Sequence, residues 1–134
     1  MITDNRPKVL VIGVDPSTLD PAAWGVTPEQ NAMVQVAIAE SERDLIAAGY
    51  NAFMCLIALD ADLEEVLVPH IRRAAWDVVI IGGGIRKPPE LLDLFEKVTN
   101  LVHRHAPQAA IAFNTTPTDC VDAARRWSVP QGSV

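Results

Sequence analysis

Asp15, the run Gly82-Gly83-Gly84, Arg86 and the pair Asn114-Thr115 are the residues of this sequence best placed to do chemistry, because each lies at or just beyond the end of an apolar run. Glycine amides with no side chain in front of them can receive a carboxylate or phosphate, and Arg86 just behind would add a positive charge. Asp15, with Ser17 beside it, is the candidate catalytic residue, as a general base, a metal ligand or an acceptor for a ligand hydroxyl. An aspartate before proline equally caps the turn that follows it. Asn114 and Thr115 offer amide and hydroxyl hydrogen bonds to a polar ligand. Trp24, followed by Gly25, is either a ring that closes over a bound molecule or one that anchors its own loop or a subunit contact.

Other chemistries lack their motifs. Neither GxxxxGK[ST] nor GxGxxG occurs, so no nucleotide P-loop or dinucleotide fingerprint is supported. His70, His103 and His105 do not have zinc-site spacing, and no metal is expected. Cys55 and Cys120 sit singly in apolar segments and read as small buried hydrophobes. No nucleophile stands beside a histidine in the chain.

The elements that position these residues follow from periodicity. KVLVIGV, residues 8–14, is a continuous apolar run rich in β-branched residues, as in a strand covered on both faces. Thr27, Pro28 and Gln30 form a capping-box start, and Val34, Ala37, Ile38, Ser41, Leu45 and Ala48 recur at helical spacing up to Gly49. Residues 51–59 form a second strand. The helix carrying Leu63, Val66, Leu67 and Ile71 should kink or break at Pro69. WDVVII, residues 76–81, is a third strand running into the glycines. Pro88 and Pro89 open a helix that ends on His103, Arg104 and His105, where cations complement the negative helix end. A fourth strand spans 109–113. Thr116, Pro117 and Asp119 then cap a final helix that reaches Trp127.

Strands alternating with helices through short connections imply right-handed crossovers. The expected fold is a single α/β domain, a doubly wound parallel sheet of four strands in the order 2-1-3-4 with helices on both faces. About a dozen residues, DPSTLDPAAWG among them, separate the first strand from its helix, against roughly two to six in comparable connections. The element order resembles the flavodoxin-like group and, in length, receiver domains, over nearly the whole chain. The loop motifs differ. The third strand ends in glycines where a receiver carries its phosphorylated aspartate, and residues 15–19 keep the hydroxyls but not the glycine of a flavodoxin phosphate loop.

A chain of 134 residues, 49% of them hydrophobic, should bury roughly two thirds of its unfolded surface without disulfides. Its formal charge of −6 disfavours nucleic acid and anionic membranes as partners. The polar start MITDNRPK leads into a run too short for a signal or a membrane span, so a cytoplasmic location is expected. In open parallel sheets, ligands lie beyond the carboxyl ends of the strands where chain order reverses. The leading expectation is therefore a small-molecule-binding domain with a polar or anionic ligand over Gly82, Gly83, Gly84 and Arg86, approached by Asp15, Asn114 and Thr115. Two others stand beside it: a homo-oligomeric interaction module using Trp24 and Trp127, and a small lyase, isomerase or hydrolase with Asp15 as base. The cofactor is unknown.

Overall fold

The β-branched runs pair as parallel strands. In the computed structural model, which describes residues 5–130, β1 (Lys8–Val14) lies between β2 (Asn51–Ile57) and β3 (Val78–Ile81), and β4 (Ala110–Phe113) pairs with the far side of β3. The order is β2-β1-β3-β4, that of a small flavodoxin-like α/β fold. Side chains of a strand alternate between faces, and two apolar layers result. Leu10, Ile12, Val79 and Ile81 face one layer, shared with α2 (Leu63–Val66), α3 (Val68–Arg72) and α5 (Leu92–His105). Val9, Val11, Val78 and Ile80 face the other, shared with α1 (Pro28–Ala47) and α6 (Cys120–Arg125).

Helix boundaries follow local chemistry. Thr27 Oγ1 accepts from Gln30 N at 3.0 Å while Gln30 Oε1 accepts from Thr27 N at 2.8 Å, closing the capping box of α1. The helix stops at Gly49, whose φ of 100° disfavours any side chain, and a Cβ there would stand 3.0 Å from Pro130 Cβ. Gly49→Ala is therefore expected to lower stability by about 1–2 kcal/mol from the left-handed conformation alone. A urea midpoint equal to that of the wild type would show the turn to be unstrained.

Pro69 divides its segment as expected. α2 is capped by Asp62, whose carboxylate accepts from Glu64 N and Glu65 N, and Pro69 falls in the first turn of α3, where its missing N–H goes unused. The glycine run, in contrast, is not an open turn. Gly83–Arg86 forms a single helical turn, α4, with Ile85 N and Arg86 N bonded to Gly82 O at 3.1 and 3.3 Å. Ile85 is completely buried on the α5 side of the sheet, and its burial accounts for the winding of glycines that have little helical preference of their own. A turn over Pro89–Leu91 then leads into α5.

The long connection after β1 is two short 3-10 turns, Pro16–Thr18 and Pro21–Trp24. Each opens with an aspartate that accepts from an amide two residues on, Asp15 from Ser17 and Asp20 from Ala22. Asn31 of α1 donates to Pro16 O at 3.0 Å and ties the first turn to the helix. Among the described residues no helix is long and apolar enough to cross a membrane.

Candidate functional site

On the α1 side of the sheet the inward positions at the carboxyl ends of the central strands carry little side chain. The inward series on β1 reads Val9, Val11, Gly13, and that on β3 reads Val78, Ile80 and then Gly82. Gly82 N donates to Ile12 O at 2.8 Å, so the ladder continues far enough to bring the two glycines side by side. A Cβ on Gly82 would come 3.2 Å from the Ile12 carbonyl oxygen, a contact with backbone that cannot swing away. Above them runs the amino-terminal half of α1, in a helix where only Ser41 and Leu45 are buried.

The result is a hollow of about 460 Å³ between α1 and the sheet. Val34 and Ile38 of α1 and Val11, Met54 and Leu56 of the strands make apolar walls. The triple glycine, Asn114, Thr115 and Cys120 close its end. A second hollow of about 310 Å³ adjoins the first across Ile38, Met54 and Leu56 and is edged by Asp15, Ser17, Gln35 and Glu42.

The structure thus gathers some of the sequence candidates and separates others. Gly82, Gly83, Gly84, Asn114 and Thr115 line the larger hollow. Asp15 and Ser17 line the smaller one, where Asp15 Oδ1 accepts from Ser17 N at 3.0 Å and Ser17 Oγ at 2.7 Å. Trp24 is half-buried at the end of the second 3-10 turn and lines neither. Arg86 also lines neither. Its guanidinium lies over the Phe113 ring at 5.5 Å, and Nη2 donates to the Asn114 carbonyl oxygen. Phe113 in turn packs edge-on against Phe95 of α5, so this cation belongs to the opposite face of the sheet.

The glycine amides are also largely occupied. Gly82 N is bonded to Ile12 O, and Gly83 N donates to Asn114 Oδ1 at 2.9 Å. Asn114, 5% exposed, donates through Nδ2 to Cys120 Sγ at 3.2 Å, while Ser41 Oγ donates to Ile38 O at 2.7 Å. Burial pushes the Cys120 thiol up, with hydrogen bonds to Asn114 and Ser41 only partly offsetting it, so the sulfur stays protonated at neutral pH. At the rim, Asp119 accepts from the Thr115 hydroxyl and from the Thr115 and Thr116 amides. Partial burial raises its carboxyl, but those hydrogen bonds outweigh it and leave the group below the ordinary carboxylate range.

No protein-family model, curated protein or solved structure matches this chain. The site is read from its own chemistry. Among the described residues no three histidine, cysteine or acidic side chains group as metal ligands. What sequence reasoning missed is the apolar wall: Gly13, Val34, Ile38, Met54 and Leu56, with Lys87 at the mouth. One signal was available. Gly13 interrupts the inward alternation of the first strand on the same face that Gly82 leaves open.

Proposed function

We propose that this protein is a small-molecule-binding domain of the reducing cytoplasm, with its ligand in the larger hollow at the carboxyl ends of the strands. The carrying observation is the open hollow itself. Gly13 and Gly82 place no side chain beneath Val34 and Ile38, and a hollow of about 460 Å³ opens to solvent there. Its volume lies in the roughly 300–1,000 Å³ span of small-ligand sites. It opens between β1 and β3, the switch point of the strand order, where parallel sheets hold their ligands. Asn114 and Thr115 form its polar end, with their own groups bonded to Gly83, Cys120, Lys87 and Asp119. Binding is better supported than turnover, because the Cys120 thiol is held protonated and the Asp15 carboxylate is engaged by Ser17 in the adjoining hollow.

Gly13→Val tests the proposal. A Cβ at Gly13 meets Leu56 Cδ2 at 3.5 Å, an ordinary contact, and valine suits a strand, so the variant should fold with an unchanged or higher melting temperature. Its methyl groups occupy the hollow. Titrated with the neutral fluorophore N-phenyl-1-naphthylamine, the wild type is expected to show saturable binding and the variant a Kd weakened by about tenfold or more, equivalent to ~1.4 kcal/mol. Equal binding by both proteins, or none by the wild type, removes the hollow as a ligand site.

A further inference from the structure

We infer that the ligand of this hollow is an apolar-bodied monoanion, of the class of medium-chain carboxylates, with its head group beside Lys87; this rests on the binding reading above. The body follows from the walls. Val11, Val34, Ile38, Met54 and Leu56 offer nothing for a sugar or a polar ring to bond, and favour hydrocarbon by removing it from water.

The sign of the head group follows from the charges. The chain carries 17 acidic against 11 basic residues, yet among the described residues Lys87 is the charged side chain that lines the larger hollow, while Asp119 at the rim is engaged by the Thr115 hydroxyl and the Thr115 and Thr116 amides. Asp15 and Glu42 stand in the adjoining hollow, beyond Ile38, Met54 and Leu56. The charge that faces the hollow is thus positive in a molecule of net negative charge. Lys87 is also built into the wall, since its Cε lies 3.3 Å from where a Gly83 Cβ would be. Part of the glycine run is therefore room for the lysine stem. The ammonium donates to the Thr115 carbonyl oxygen, which uses one of its three protons.

The number of charges follows from what is missing around them. A phosphate needs several donors, but the Gly82 and Gly83 amides are bonded to Ile12 and Asn114, which leaves Gly84 alone of the three glycine amides, and Arg86 lies on the other face of the sheet. One exposed ammonium at the mouth of an apolar chamber fits a single negative charge at the end of a hydrocarbon body.

The test uses the full chain and four probes in competition with the neutral dye: octanoate, octylamine, octanol and inorganic phosphate. The wild type is expected to prefer octanoate over octylamine by about tenfold or more. Lys87→Met should abolish that preference, read as the octanoate-to-octylamine ratio, and Lys87→Arg should keep it. Gly13→Val should weaken all three eight-carbon probes together. Equal affinity for octanoate and octylamine, or a preference that survives in Lys87→Met, overturns the head-group assignment while Gly13→Val still marks the site. Octanoate binding undiminished by Gly13→Val overturns the site and this inference with it. Displacement of octanoate by phosphate at comparable concentration, or no octanoate binding by the wild type, also overturns it.

Discussion

Replacing Trp76 with alanine is expected to cost about 3–5 kcal/mol of stability, because three stabilising contributions are lost with one side chain. The ring is 1% exposed and packs edge-on against Phe53 of β2, with centroids 5.5 Å apart. Arg73 lies over that same Phe53 ring at 5.0 Å. The indole Nε1 donates to Ile71 O at 2.9 Å and, at 3.2 Å, to His70 O, which also accepts from Arg73 N, so the ring N–H caps the end of α3. Alanine removes the buried area, the aromatic pair and this cap together. Trp76→Phe keeps most of the area and loses the N–H, for an expected cost of about 1–3 kcal/mol. Urea midpoints with an unchanged slope would measure both. Trp76 belongs to the layer under α3 and α5, whereas the hollow lies under α1. Trp76→Ala should therefore still bind the neutral dye at temperatures where it remains folded. A midpoint at the wild-type value would mean that the ring is no anchor at all.

The strands, the start of α1 and the break at Pro69 were legible because each has a local cause: β-branched runs, a hydroxyl with its partner three residues on, or a missing amide proton. The prolines expected to open the last two helices instead wind 3-10 turns, and those helices begin at Leu92 and Cys120. α4 was not legible either. Glycines have poor helical preference, and what winds them is the burial of Ile85, a contact made with the layer under α5. The same turn explains Arg86. Successive residues of a helix point about 100° apart, so Gly83 and Gly84 border the hollow while Ile85 and Arg86 swing to the other face of the sheet. A linear reading that places Arg86 just behind the glycines has no access to that rotation.

For the candidate hollow, its place at the strand ends was legible and its lining was not. The carboxyl ends of parallel strands follow from topology alone, and Asn114 and Thr115 fall there. Gly13 lies hidden inside KVLVIGV, and its missing side chain matters only once α1 is known to cover that face. The stripe of Val34, Ile38, Ser41 and Leu45 reads as a packing face. Of these, only Ser41 and Leu45 reach full burial, because the sheet beneath Val34 and Ile38 ends in glycine. Asp15 shows the opposite limit: a short-range hydrogen bond to Ser17 was available whatever the fold, and local capping took the carboxylate.

Asn114 holds the end wall, and its loss should be felt in both stability and access. Its Oδ1 accepts from Gly83 N, its carbonyl oxygen accepts from Arg86 Nη2, and its Nδ2 donates to Cys120 Sγ, so one buried side chain and its backbone join β4, α4 and α6. Asn114→Ala leaves the part-buried Gly83 N–H without its protein acceptor, which is expected to cost about 1 kcal/mol. Asn114→Leu keeps the volume and still lacks the acceptor. If volume were the stabilising property, leucine would restore the loss; if the acceptor is, both variants should fall by similar amounts. Thiol labelling separates these further. Cys55 and Cys120 are both buried, and burial pushes the Cys55 thiol up to about 11, so native labelling should be slow. Loss of the Asn114 bonds should speed modification of Cys120, which lines the hollow, and leave Cys55 on the other side of the sheet unchanged. A corner that labels no faster in either variant is held by the close approach of Gly82 to Ile12, and Asn114 is then a passenger in the wall.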